Sequence, residues 1–155
     1  MERRLAAILA ADVVGYSKMM EKDEAGTLTA LSWLITEFIE PLIADNNGRI
    51  VKFMGDGILA KFGRVVDEVN GAIDWQGMIL EKDNSFQFRI GINLGEIIIL
   101  DDDIFGTGVN IASRLEGLAN AGGICVSDDV YRQAKGKVSS AFEDIGEQQL
   151  KNIDE

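Results

Sequence analysis

Apolar residues run almost unbroken from Leu5 to Ala11 and resume at Val13. A run of this length predicts a buried strand over residues 5–14. From Asp23 onward the pattern changes. Leu28, Leu31, Leu34, Ile35, Phe38 and Ile39 recur at helical spacing, and Asp23 is placed to cap the helix they form. Pro41 kinks that helix or starts a new one, and Asn46-Asn47-Gly48 ends it. Two short apolar segments follow at about 49–54 and 58–62. Gly55-Asp56-Gly57 between them reads as the turn of a β-hairpin, with a carboxylate at or beside its tip. A second helix is predicted over roughly 65–82, with Val66, Val69, Ile73 and Leu80 near one face.

Phe86 to Leu94 alternates apolar with other residues, which predicts a half-buried strand. Gly95 marks a bend, and Glu96 to Leu100 forms a further strand. Asp101-Asp102-Asp103 is a polar break. A helix is predicted from about Gly108 to Ala119, closed by Ala121-Gly122-Gly123. Ile124-Cys125-Val126 reads as a short strand, Ser127 as the cap of a helix to about Ala134, and Ser140 to Leu150 as a last strand. No internal repeat or low-complexity linker interrupts this order. It predicts an α+β domain, one sheet with helices packed on it.

Composition narrows the chemistry. The 155 residues suit one ordinary domain, which buries roughly 70% of its unfolded surface and needs no staples. Cys125 is the single cysteine, so no disulfide framework or thiolate metal cage exists, and a reducing, cytoplasmic setting is expected. The absence of histidine excludes a His-based triad and a His-ligated zinc site. Asp, Glu, Lys, Tyr and the substrate remain as acid–base groups. A net charge of −11 argues against nucleic acid as a partner. The Leu5–Ala11 run is too short to cross a membrane and meets Asp12. Arg3 and Arg4 ahead of it imitate a signal peptide, but the run is better read as a strand.

Two acids stand out against apolar surroundings. Asp12 interrupts the first strand, where an unpaired buried carboxylate would be costly. Asp56 sits between two glycines, where Asp also serves as an ordinary turn residue. A pair of isolated carboxylates at strand ends is what a divalent-cation site needs, and oxygen ligands suit Mg²⁺ or Mn²⁺. Such a pair points to phosphoryl-transfer chemistry.

Four segments in order resemble the class III nucleotidyl cyclase catalytic domain. They are Ala11-Asp12-Val13-Val14-Gly15-Tyr16-Ser17, Val51 to Phe62, Arg89 to Gly95, and Asp103 to Leu115. The resemblance covers nearly the whole chain, residues 1–155, read as one catalytic domain without the family's final strand. It implies a palm-like sheet with a ferredoxin-like core and helices packed on it, paired head-to-tail as a dimer. It implies that Asp12 and Asp56 hold two divalent cations, with the main-chain carbonyl of Val13 completing the shell. It also implies that Lys52 and Asp103 read adenine, that Asn110 and Arg114 serve the ribose and the transition state, and that Lys151 binds the triphosphate.

The expected reaction is conversion of ATP to 3′,5′-cyclic AMP and pyrophosphate by in-line attack of the ribose 3′-oxygen on the α-phosphorus, in cyclic-nucleotide signalling. Expected partners are ATP, a second copy of the chain sharing the active sites, and fused or associated regulatory domains, with no membrane segment in this chain. A non-catalytic nucleotide-sensing module and a guanylate cyclase are the alternatives. Phe53 and Phe105 are read as packing residues, Cys125 as a small core residue, and Trp33 and Trp75 as core or interface.

Overall fold

The computed structural model describes residues 2–54, 57–82 and 86–137. The chain opens with strand β1 (Glu2–Val13), longer than its apolar run because Glu2, Arg3 and Arg4 continue the pairing. Helix α1 (Tyr16–Lys22) follows, an element without a side-chain cap to mark it. Asp23 caps α2 (Glu24–Leu34), its carboxylate accepting from the Gly26 amide at 3.0 Å. The rod then widens into a π turn over Ile35–Ile39 before α3 (Glu40–Asp45). Pro41 lies at the start of α3 and lacks the N–H that an α-helical bond back to Glu37 would use. The whole stretch Glu24–Asp45 is long and apolar enough by composition to cross a membrane. Here Leu31, Leu34, Ile39 and Ile43 bury against the sheet.

Strands β2 (Gly48–Met54) and β3 (Gly57–Phe62) form the expected hairpin. Helix α4 (Val65–Lys82) leads to β4 (Phe88–Leu100), and β5 (Asp103–Phe105) pairs back onto its end. Helix α5 (Thr107–Leu118), β6 (Ile124–Val126) and α6 (Asp128–Ala134) complete the described chain. Ser127 caps α6 by accepting from the Val130 amide at 3.3 Å. The expected final strand, Ser140 to Leu150, lies outside the described residues.

The sheet runs β2-β3-β1-β4-β5, antiparallel throughout, with β6 added parallel to β4. Period-two alternation divides β1 between two cores. Ala7, Leu9, Ala11 and Val13 face the layer built from α2, α3, α4 and α6. Ala6, Ile8 and Ala10 face Val109 and Ala112 of α5 on the opposite side. Leu115 of α5 packs with Ala119 and Cys125, which is buried as expected.

Three readings need correction. Gly95 does not bend the chain, because β4 is continuous. Its missing side chain serves close approach: a Cβ there would stand 3.0 Å from the Gly108 Cα of α5. The polar break is shorter than read: Asp101 and Asp102 form a tight turn at positive φ, as the twist of an antiparallel pair favours, and Asp103 already belongs to β5. The buried face of α4 is carried by Val65, Val69, Ala72, Trp75 and Ile79, whereas Leu80 is 79% exposed. Apolar spacing misplaced this face because Glu68 and Gln76 share it. Gln76 is satisfied by donating to the carbonyls of Phe88 and Gly123, each at 3.0 Å.

Glu68 is different. Its carboxyl is fully buried and neither oxygen reaches a hydrogen-bond partner. Burial pushes its pKa well above the usual 4.5, and only the nearby backbone of Asn93 opposes this. The folded chain therefore keeps a proton that the unfolded chain releases. Stability should fall as pH rises above the ordinary glutamate range, with a slope of up to about 1.4 kcal/mol per pH unit until the folded group also ionises. Denaturant unfolding between pH 5 and pH 8 should show this slope in the natural protein and lose it in Glu68→Gln.

Candidate active site

Asp12 stands at the end of β1, opposite Gly57 on one side and Arg89 on the other. Gly57 is the residue bonded to Asp56, so the register brings Asp12 beside the β2–β3 turn. Asp56 itself lies outside the described residues, as does Lys151. Asp12 is half-buried, and its Oδ1 is sealed from solvent without a hydrogen-bond partner. Leaving a carboxylate oxygen so placed costs about 1–3 kcal/mol. A hard cation is the partner that best satisfies an anionic oxygen in this position, so the residue fits a divalent ion. Val13 is buried and paired with Phe88. Among the described residues no group of three or more metal-ligating side chains assembles.

Lys52 and Asp103 come from opposite ends of the strand order, on β2 and β5. The sheet curls so far that the two edges meet, and Lys52 Nζ lies 2.8 Å from Asp103 Oδ1. The same carboxylate oxygen accepts from its neighbour's amide, Ile104, at 2.7 Å. The hydrogen bond from Lys52 is the chief reason that Asp103 is held below the usual carboxylate range, so it remains an acceptor at neutral pH. The ammonium also rests 4.9 Å from the centre of the Phe105 ring. Phe105 and Phe53 are not buried packing residues; they are 44% and 53% exposed. Trp75 is wholly buried, whereas Trp33 is 54% exposed and meets Phe38 edge-on.

Asn110 and Arg114 lie one turn apart on the exposed face of α5. What positions them was not apparent from the motif alone. Gly91 of β4 lies directly under the helix, and a side chain there would collide with the backbone of Ala112 and Glu116. Asn93 is buried and donates to the Gly108 carbonyl at the start of the helix, 3.1 Å away. Arg89 donates from Nε to the Ala119 carbonyl beyond its end, also at 3.1 Å. Both ends of α5 are thus tied to one strand. The signal in the sequence was a buried-type strand interrupted by Arg89, Gly91, Asn93 and Gly95 at every second position.

The model of the adenylate and guanylate cyclase catalytic domain matches residues 3–155. The chain belongs to this family. The cyclase domain is 44% identical to putative adenylate cyclase 3 of Rhizobium meliloti, over 98% of this chain and 27% of that protein. Its fold matches an adenylate/guanylate cyclase/hydrolase from Silicibacter pomeroyi with a TM-score of 0.86 and 44% identity, covering 94% of this chain and 88% of the other. A second solved neighbour is the catalytic core of a rhodopsin-guanylyl cyclase with converted specificity in complex with ATPαS. It has a TM-score of 0.80 and 27% identity, with 88% and 86% covered. The cyclase domain spans about a quarter to a third of the length of the curated relatives it matches. The palm-like α+β fold expected from the motifs is the fold of these neighbours.

Proposed function

We propose that this domain is an adenylate cyclase, converting ATP to 3′,5′-cyclic AMP and pyrophosphate. The observation that carries the choice of base is the Lys52–Asp103 pair. It presents one donor and one acceptor side by side. Adenine offers the complement, a ring nitrogen that accepts and an exocyclic amine that donates. Guanine reverses both, with a ring N–H facing Lys52 and a carbonyl facing Asp103. The base therefore replaces each partner of the ion pair with a hydrogen bond of the same polarity.

In the reaction the ribose 3′-oxygen bonds to the α-phosphorus as the bond from that phosphorus to the β-phosphate bridging oxygen breaks. Pyrophosphate carries away the electron pair, and the 3′-hydroxyl proton passes to water or a substrate phosphate. Asn110 orients the ribose, and the planar, permanently charged fork of Arg114 meets the phosphate oxygens as charge shifts. Lys151 binds the triphosphate. Asp12 and Asp56, with the Val13 carbonyl, would hold two Mg²⁺ or Mn²⁺ ions. The chemistry such ions supply is acidification of the 3′-hydroxyl and neutralisation of the triphosphate. No dedicated protein base is needed, in keeping with a chain that has no histidine.

The site is shared across a homodimer in this reading, with Lys52, Asp103, Asn110 and Arg114 of one copy completing the metal acids of the other. Leu100 and Phe105, both exposed beside the Lys52–Asp103 pair, support a face that a partner covers. The setting is cytoplasmic, with regulatory domains on the same or an associated chain.

Product analysis with Mn²⁺ and either ATP or GTP tests the base assignment. The natural domain should favour ATP by roughly 10²-fold in kcat/KM, less than a fully enclosed polar site achieves because the pair is about one-third exposed. Lys52→Glu with Asp103→Cys should shift the preference towards GTP. A natural domain that turns over GTP faster than ATP would overturn the assignment.

A further inference from the structure

Far from the nucleotide-reading groups, the sheet carries a second constellation of charge. Pairing between β3 and β1 stops at Ala7↔Phe62, leaving the first residues of β1 without β3 beside them. A cavity of about 770 Å³ opens in this notch, within the usual range of about 300–1,000 Å³ for small-molecule sites. Arg4, Arg49, Lys61, Arg64 and Lys137 line it, and among the described residues no acidic side chain does. That is five of the fifteen basic residues of a chain whose net charge is −11.

The arrangement opposes folding unless something else is present. Arg49 and Lys61 are direct cross-strand partners on β2 and β3, a like-charge pairing that destabilises a sheet. Arg4 and Arg64 are each drawn partly aside, by Glu2 at 2.6 Å and by Asp67 at 3.2 Å. Arg49, Lys61 and Lys137 form no ion pair among the described residues. Burial, then Arg49 and Arg4, lower the pKa of Lys61, with Glu2 opposing them. Gln133 adds an amide from α6, so strands, helix and loop all present donors to one space.

We propose that this cavity is a binding site for a small polyanion, a ligand of about nucleotide size bearing two or more phosphate groups, separate from the catalytic site. Arg4 and Asp12 are eight residues apart on one strand, about 26 Å at the usual rise, so one small ligand does not span both. Bound phosphate oxygens replace the Arg49–Lys61 repulsion with charge-assisted hydrogen bonds. The β2–β3 hairpin connects the two places, since Arg49 and Lys61 stand at its open end and Lys52 towards the other.

Calorimetric titration of the whole chain with inorganic tripolyphosphate, in low salt with EDTA present, tests the proposal. Saturable binding at one site per chain is expected. It should weaken at least about tenfold in Arg49→Gln/Lys61→Gln and in Lys137→Gln, and persist in Asp12→Asn and Arg114→Ala. Tripolyphosphate should also raise the melting temperature of the natural chain and leave that of the double variant unmoved. The double variant loses a repulsion, so without anion it should be at least as stable as the natural chain, which guards against misfolding as an explanation. Absence of saturable binding, or binding abolished by Arg114→Ala and kept by the double variant, would overturn the proposal. Tighter binding of an extended oligo-glutamate peptide than of tripolyphosphate would also overturn it and assign the notch to a polypeptide.

Discussion

Asp12→Asn is expected to lower cyclic AMP formation by about three orders of magnitude while leaving the fold intact or slightly more stable. Several kcal/mol of transition-state stabilisation come from a metal acting as Lewis acid, and about 4 kcal/mol corresponds to 10³ in rate. An amide keeps the shape of the carboxyl but removes the charge that would hold a cation. In the metal-free protein that same charge is a liability, because Oδ1 is sealed and unpartnered. Replacing it relieves an unfavourable burial of about 1–3 kcal/mol at most. The two effects therefore run in opposite directions. A purely structural Asp12 would lose stability on substitution and show no metal dependence. Thermal melts with and without Mn²⁺ separate these cases independently of turnover: at 100 times its Kd an ion adds about 2.7 kcal/mol to the natural chain. No such gain is expected in Asp12→Asn. Full activity in the variant would remove Asp12 from the metal site.

Arg114→Ala should lower kcat by roughly 10²–10³ with little change in KM for ATP, the loss expected when a donor aimed at developing charge is removed. Arg114→Lys should recover only a small part, because an ammonium lacks the planar fork. Stability should change little, since Arg114 lies on the exposed face of α5 while Val109, Ala112 and Leu115 hold the helix to the sheet. If sites are shared between copies, Arg114→Ala and Asp12→Asn damage different halves of each site. Mixing the two proteins in equal amounts should restore roughly a quarter of natural activity. Half of the dimers are then mixed, and each retains one intact site of two. Activity that stays at the level of the separate variants after subunit exchange would argue that each copy works alone.

Much of the fold was legible because it rests on local rules. The periods of two and 3.6 located β1, the β2–β3 hairpin, α2, α4, α5 and β6. Asp23 and Ser127 are caps in the structure because a side-chain oxygen before an apolar helix has an orphan amide within reach. Two elements escaped: α1, whose N-cap position is Gly15 with no side chain to mark it, and β5, which opens within a run of acids. The face of α4 was misjudged because burial of Glu68 and Gln76 is invisible to a count of apolar residues. Gly95 looked like a bend because a glycine in a strand interior marks either a kink or a close approach, and only α5 lying over it decides which.

The amino-acid sequence by itself determined the domain class and the family, because four motifs fall in a set order along one chain. It also singled out the carboxylates, lysines and arginine to which we assign the chemistry, since each departs from the local apolar pattern or lies on a motif. Only the tertiary structure decided what those residues do to one another. Lys52 and Asp103 are fifty-one residues apart and on opposite edges of the strand order, and they meet because the sheet curls. Asp12 is exposed by its sequence as an oddity, but only packing seals one of its oxygens and leaves it without a partner. The basic notch arises in the same way, from where β3 leaves β1. Curl, sealing and notch are all products of long-range packing. Local pattern records which face of a strand a residue occupies, and it carries no term for the distance between two edges.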